Sequence, residues 1–336
     1  MPNSEPARAA GMGRLWLRLV AFFLLLAIAW AGLEWGMARM PNSHSLKRDR
    51  LRALAGQVDT LILGSSEAYY GIAPHQLSGT AFNLANSSQS LYYDEQVLKR
   101  VLPELPHLKR VIILVGYMTL YFELYDHPES WRQYQYYQEW HIPLQRKVDY
   151  FDLRPWSRVA LYTPHTALEA LRKRFRMSLA PRVDDRGWYR VPDEDRWGLG
   201  TEEAQGRLAV HHGFMREQYL EANAAALERI VALLRGRGIE VVMVTTPVWP
   251  TYQAGIRTGP WERAKAVVEG LARKYGARYL NFQHEPRLPA EDFEDSDHLN
   301  ADGASHFARM LDETLGPPRA EQEPSGAGQA GSTRGG

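Results

Sequence analysis

The 336-residue chain contains no cysteine. That excludes disulfides, thiolate zinc sites, iron–sulfur clusters and a cysteine nucleophile. An excess of charge is missing too: 40 Lys and Arg against 39 Asp and Glu leave a net +1. Such a chain has no global field with which to gather nucleic acid or acidic ligands, so no nucleic-acid partner is expected. Long apolar runs are scarce, which excludes a polytopic membrane protein. Hydrophobic residues are 45% and charged residues 24%, a globular balance rather than a disordered one. Length alone predicts about two domains at ~150 residues each. The one excess is aromatic, at 11%, with 10 Trp and 17 Tyr.

The single apolar run is Leu19 to Leu33, 15 uncharged residues. As a helix it spans only ~22 Å; extended to Leu15–Met37 it reaches ~34 Å, enough for a ~30 Å hydrocarbon core. The extension includes Arg18 and Glu34, near its ends, where Arg18 can snorkel to headgroups. Trp16, Trp30 and Trp35 fit interfacial positions. An uncleaved signal anchor is the first expectation. A cleaved signal peptide is the second, because Ala27-Ile28-Ala29 and Ala29-Trp30-Ala31 resemble small-x-small cleavage sites. A buried helix of a soluble protein is the third. Basic residues lie on both sides of the run, so charge does not orient it; long downstream domains translocate largely regardless of charge. At the other end, 317–336 holds five Gly and three Pro and reads as a disordered tail.

Between the ends, short apolar runs alternate with amphipathic helices. Strands are predicted at Val58–Leu63, Ala81–Ala85, Val111–Val115, Ile239–Val244 and Tyr279–Phe282. Helices are predicted at Asp94–Leu102, Arg216–Arg235, Trp261–Tyr275 and Ala301–Leu315. Near-continuous apolar strands alternating with helices predict a parallel sheet covered on both faces. Ligands of such folds bind at the carboxyl ends of the strands, which points to the residues after Leu63, Ala85, Val115 and Val244. The chain therefore divides into a tail and transmembrane anchor (1–40), one α/β domain (41–316) and the tail (317–336). Residues 120–213 interrupt the rhythm as a long insertion with five of the ten Trp and eight of the 17 Tyr. Those aromatics either pack the insertion onto the core or form a platform for sugar rings or an acyl chain.

Ser66 follows the first strand in Gly64-Ser65-Ser66-Glu67, at a strand-to-helix turn where backbone N–H groups are available. Asp295-Ser296-Asp297-His298-Leu299-Asn300 lies just before the last helix. An Asp three residues ahead of a His brings both to one place. The Asp then fixes the imidazole tautomer, and the His takes and returns a serine proton. Asp297 is the competing acid, disfavoured on spacing. Asn300 or Asp302 is suited to capping the helix that follows.

Taken together, 232 residues apart, the two motifs resemble the SGNH (GDSL-type) hydrolase superfamily over roughly Val58 to Leu315. The resemblance implies a three-layer α/β/α, flavodoxin-like fold. It implies Ser66 as nucleophile, His298 as base and Asp295 as its orienter. With the N-terminal apolar run, the pattern looks most like the membrane-anchored branch. That branch includes the D-alanyl transfer protein of teichoic-acid modification and the alginate O-acetylation proteins. The resemblance implies an extracytoplasmic enzyme held in the bacterial inner membrane by a single span. It would be an esterase or O-acyltransferase acting on acyl (acetyl) groups of an envelope or secreted polysaccharide. A multi-pass membrane O-acyltransferase is the implied partner, and no cofactor or metal is implied. The chain departs from the family in two blocks. The second usually supplies a Gly N–H to the oxyanion hole; here it reads Asn83-Leu84-Ala85-Asn86-Ser87-Ser88-Gln89. A backbone N–H near Ser88, or the Asn86 side chain, is the expected substitute. The third block usually reads Gly-x-Asn; here it is Gly116-Tyr117-Met118, leaving Gly116 and Tyr117 as candidates. Losing one oxyanion donor costs roughly 10²–10³ in rate. The expected consequences are a donor from the insertion, a slow enzyme, or one that works in a complex. Within the resemblance, the missing Asn favours acyl transfer over hydrolysis. It also leaves open a catalytically weak module that binds glycan or scaffolds a membrane acyltransferase.

Other features point elsewhere. His211-His212 lacks zinc spacing. Gly236-Arg237-Gly238 closes a helix instead of opening one, so it is not a dinucleotide fingerprint. The basic run at 172–176 reads as a solvated helix face or a phosphate or lipid contact.

Overall fold

The computed structural model of the chain describes residues 5–146, 151–161, 182–191 and 198–318. Trp197, the basic run at 172–176 and the tail from 319 lie outside them. The chain falls into two compact units, Met1–Asn42 with Lys147–Ala180, and Ser43–Arg146 with Pro181–Gly336.

The first unit is built on α1 (Glu5–Ala38). From Met12 to Ala38 it is long and apolar enough to cross a membrane. It is not buried as a core helix would be: Leu17 is 72% exposed and Phe23 63%. A short helix, Arg158–Leu161, belongs to the same unit.

The second unit opens with α2 (Ser43–Leu54) and is organised by five strands: β1 (Thr60–Leu63), β2 (Ala81–Asn83), β3 (Arg110–Leu114), β4 (Glu240–Thr245) and β5 (Arg278–Asn281). All pair in parallel, in the order β2-β1-β3-β4-β5. Successive side chains of a strand point to opposite faces, and here both faces are apolar. Leu61, Leu63, Val111, Ile113, Val241 and Met243 pack on one side. There they meet α4 (Leu91–Val101), α7 (Leu220–Arg235) and α8 (Thr258–Tyr275). Ile62, Ile112, Leu114, Val242 and Val244 pack on the other, against α3 (Ser66–Gly71) and α9 (Ala301–Leu315). Each fully buried aliphatic side chain is worth roughly 1.5–3 kcal/mol, so two such faces make the sheet the stable centre of the unit. This is the predicted α/β architecture with a doubly covered parallel sheet. α5 (Gln133–Trp140) and all but the last residue of α6 (Thr201–Phe214) fall within the predicted insertion.

The strand and helix bounds differ from the predicted ones by small amounts that have local causes. β2 ends at Asn83, although the Leu84 and Asn86 N–H groups still reach the Ile62 and Gly64 carbonyls at 2.8 and 3.2 Å; on the open edge the Asn83 Oδ1 accepts the Ala85 N–H at 3.1 Å. Its Nδ2 holds the Ala68 and Ile72 carbonyls of α3 at 2.8 and 3.0 Å. The helix predicted from Arg216 begins as a single tight turn, Glu217–Tyr219, before α7. Lys47 of α2 is fully buried, with its Nζ on the Ala85 carbonyl and 4.2 Å from the Tyr69 ring centre. Burial pushes its amine well below the usual lysine range.

Strand order reverses between β1 and β3. A parallel sheet of this order leaves a crevice there, at the carboxyl edge, because the chain departs to opposite sides. Ser66 follows β1 and Gly116 follows β3.

Candidate active site

The turn that carries Ser66 is built by exclusion of side chains. Gly64 has φ +133°, and a Cβ on it would sit 2.5 Å from the Cβ of Leu114. Only glycine lets the backbone pass so close to β3. The Gly64 N–H donates to the carboxylate of Asp94, which is 1% exposed and also accepts from Gln89 Nε2 at 2.6 Å. Gln89 in turn accepts from the Tyr136 hydroxyl at 2.8 Å. Burial raises Asp94 to about 7, against the pull of these donors. Ser65 caps the next helix in extended conformation, its hydroxyl on the Glu67 carboxylate. Ser66 is thus the first residue of α3, where backbone N–H groups have no acceptor within the helix.

The opposing turn is fixed by hydrogen bonds to its own backbone. Asp295 Oδ1 accepts the N–H of Asp297 at 2.9 Å and of His298 at 2.8 Å. This side-chain-to-backbone turn is typical of aspartate, and it puts the carboxylate under the ring. Asp295 then meets His298 Nδ1 at 2.9 Å through Oδ2 and 3.0 Å through Oδ1. Asn300 ends the turn as the cap of α9, its Oδ1 accepting from Asp302 and Gly303 N–H at 3.1 and 3.0 Å. From the far side of the crevice, the Ser66 Oγ lies 2.8 Å from His298 Nε2. Serine, imidazole and carboxylate form one continuous proton path.

The charges follow the geometry. Burial opposes the imidazolium of His298, which is only 5% exposed, but Asp295 and Asp297 outweigh it and raise its pKa to about 9. Burial also opposes ionisation of Asp295, yet the His298 cation and the turn N–H groups hold it well below the usual carboxylate range. Asp297 stands 3.8 Å from His298 Nδ1 and is engaged elsewhere. Arg207 of α6 reaches it with Nε at 2.7 Å and Nη2 at 3.3 Å. Burial pushes Asp297 up, against the pull of His298 and Arg207. The same Arg207 Nη2 comes within 3.4 Å of His298 Nδ1. His211, set aside as a zinc ligand by its spacing, lies 3.8 Å from Asp297 and bonds the Tyr252 hydroxyl at 2.6 Å. No motif in the sequence marks Arg207, Tyr252 or Asp94. Asp295, Asp297 and His298 are spaced closely enough to surround a metal ion. However, both imidazole nitrogens and the Asp297 carboxylate already have protein partners.

The residues expected to receive an oxyanion are arranged unevenly. The Gly116 N–H donates to Thr119 Oγ1 at 2.8 Å. The Tyr117 hydroxyl accepts the Arg257 N–H at 3.1 Å and meets His212 Nε2 at 3.0 Å. Neither stands free in this arrangement. Ser88 adopts a left-handed φ of +56°, and its hydroxyl donates to Glu129 at 2.5 Å. Asn86 differs. Its backbone N–H donates to the Gly64 carbonyl at 3.2 Å, and its side chain, 4% exposed, has no hydrogen-bond partner among the described residues.

Aromatic side chains flank His298. The Tyr70 ring lies edge-on to it with centres 5.3 Å apart, and Tyr189 lies 5.4 Å from Tyr70. Trp188 is buried and donates its indole N–H to the Tyr70 carbonyl at 2.7 Å. Trp140 is buried with its N–H on His44. These two tryptophans pack the structure, while Trp156 is exposed.

No family model and no curated protein matches the chain. Two solved structures that it resembles are both from Sinorhizobium meliloti. One is a carbohydrate acetylesterase family member, at 12% identity and TM-score 0.34 over 77% of this chain and 97% of that one. The other is a carbohydrate acetylesterase at 11% identity and TM-score 0.35, over 77% and 98%. Likeness of this degree carries no argument about chemistry, which rests on the geometry above.

Proposed function

We propose that the chain is a membrane-anchored, extracytoplasmic serine esterase or O-acyltransferase that acts on acyl groups, acetyl above all, of a cell-envelope or secreted polysaccharide. The observation that carries this reading is the unbroken path from Ser66 Oγ through His298 to Asp295, with links of 2.8 and 2.9 Å. In the forward step His298 Nε2 takes the Ser66 proton as Oγ attacks the acyl carbonyl. The imidazolium is stabilised by Asp295, and the proton is returned to the leaving oxygen. The acyl-Ser66 ester then passes to water or to a sugar hydroxyl by the same steps in reverse. The side-chain amide of Asn86 and the N–H of Ser66 are the donors we assign to the developing oxyanion. The exposed apolar α1 supports a single span of the inner membrane.

A fluorophosphonate probe tests the nucleophile. The wild-type protein is expected to label at Ser66, and Ser66→Ala to lose the label; equal labelling of the two would sink the assignment. A second reading, a weak module that scaffolds a multi-pass membrane O-acyltransferase, is favoured by the engagement of Gly116 and Tyr117. It expects cells carrying Ser66→Ala to keep their polysaccharide modification, whereas the enzymatic reading expects them to lose it.

A further inference from the structure

Glu34 lies four residues before the end of α1, in a helix that is otherwise apolar from Leu19 on. Its carboxylate is satisfied by a distant part of the same unit. It accepts the Ser157 hydroxyl, the Arg158 N–H at 3.0 Å and the Val159 N–H at 3.2 Å. The Ser157 oxygen in turn accepts the Ala160 N–H at 2.9 Å. A carboxylate so near lipid has to be paired, and here the pairing ties residues 151–161 to one level of α1. Counting back to Leu15 at 1.5 Å per residue gives ~28 Å, the thickness of a hydrocarbon core. Glu34 is therefore at the headgroup boundary when α1 spans.

The tied segment is of a kind that suits that boundary. Phe151 is 92% exposed, Leu153 56% and Trp156 63%, three large apolar side chains within six residues. Arg154 stands between them, paired with Asp152 at 2.8 Å. On α1 itself, Trp35 is 63% exposed and carries the Arg39 guanidinium 3.6 Å from its ring centre. Aromatic rings and arginines at one level are what membrane interfaces enrich, because the rings leave water while the cations keep the headgroups.

We propose that residues 151–161 form an interfacial wedge, seated in the phospholipid headgroup region beside α1 and held there by Glu34. The proposal rests on the reading that α1 spans a membrane, and the test separates the two. The chain has no cysteine, so Phe23→Cys, Trp35→Cys, Leu153→Cys, Trp156→Cys and Lys274→Cys each take a single environment-sensitive fluorophore. The full chain is reconstituted in phosphatidylethanolamine–phosphatidylglycerol vesicles holding nitroxide lipids, shallow or deep. Deep nitroxides are expected to quench position 23, and shallow ones to quench 35, 153 and 156 within about twofold of one another. Position 274 is expected to stay unquenched. Glu34→Ala is expected to lower quenching at 153 at least threefold and leave 35 unchanged. Quenching at 23 and 35 with 153 and 156 behaving as 274 would overturn the wedge and leave the span standing. No quenching at 23 would overturn the span, and the wedge with it. A label at 153 that is shielded from water but untouched by either nitroxide would show a protein covering the segment, and would also overturn the proposal.

Discussion

The two sides of the crevice between β1 and β3 are built by different means. On the proton-relay side, the residues are set by short turns, which Ser66–His298 and Arg207–Asp297 then link across the chain. Asp295 bonds N–H groups two and three residues on and the ring of His298, and Gly64 leads directly to Ser66. On the oxyanion side, Gly116 is held locally by Thr119 but the other contacts come from afar. Tyr117 is engaged from residue 257 and from His212, and Ser88 from Glu129. The first side is set mainly by local turns and the second mainly by tertiary contacts. On the proposed reading, the relay can therefore be kept intact while the groups assigned to receive negative charge are rearranged, a route to changing the acceptor or the rate without touching Ser66.

The strongest way to break this comparison is through the relay. Asp295→Asn keeps the shape but presents the wrong tautomer to His298, and it should cost about 10⁴ in kcat, as in serine protease relays. Hydrolysis of p-nitrophenyl acetate measures it, and a loss below tenfold would mean that Asp297 takes over. On the other side, Asn86→Ala should lower kcat by roughly 10²–10³ with KM little changed, the cost of one oxyanion donor. Thr119→Val, which releases the Gly116 N–H, sharpens the contrast: it should not lower kcat, and partial rescue of Asn86→Ala by it would place Gly116 within reach of the oxyanion.

A smaller effect is expected from Gly64→Ala. The added Cβ must move Leu114 and hold a positive φ, which together cost about 2–4 kcal/mol. Thermal unfolding followed by circular dichroism checks this, and an unchanged Tm would show that the turn relaxes freely. The smallest effect is on pH. His298 has to be neutral to accept the serine proton, and its pKa of about 9 means that it is largely protonated at neutral pH. The rate should therefore rise with pH and level off above about 9. Asp297→Asn removes one of the carboxylates that raise this pKa, so the rising limb should move to lower pH, by about one unit. A shift to higher pH would contradict the electrostatic account. The stability contributed by this histidine has the matching sign: it is complete below the unfolded pKa of about 6.5 and lost as pH climbs through about 9.

The same contrast decides what was legible in the sequence. The five strands were, because apolar runs such as Val111–Val115 belong to a doubly covered sheet and to little else. Ser66, Asp295 and His298 were marked by short spacings, since a glycine turn and an Asp-x-x-His turn are local structures. Their meeting across 232 residues came from topology. Arg207 was not legible: its partner is 90 residues away and nothing in Gly206-Arg207-Leu208 announces it. The sequence offers His211 only as a metal-ligand candidate, because adjacent histidines carry no signal of a hydrogen bond to Tyr252. The aromatic excess read as a platform or as packing. Trp140 and Trp188 pack, Tyr70 and Tyr189 stand beside His298, and Trp156 is exposed.

The buried Lys47 sets where this protein can be cut. Its amine holds the carbonyl of Ala85, the residue before Asn86, from a helix that begins only five residues beyond α1. A soluble fragment starting at Ser43 keeps that strut; one trimmed to Asp59, at the edge of the sheet, discards it and leaves the Ala85 carbonyl and the Tyr69 ring facing an empty slot. The working boundary between α1 and the α/β unit therefore lies ahead of α2, and the twelve residues of that helix belong to the α/β unit.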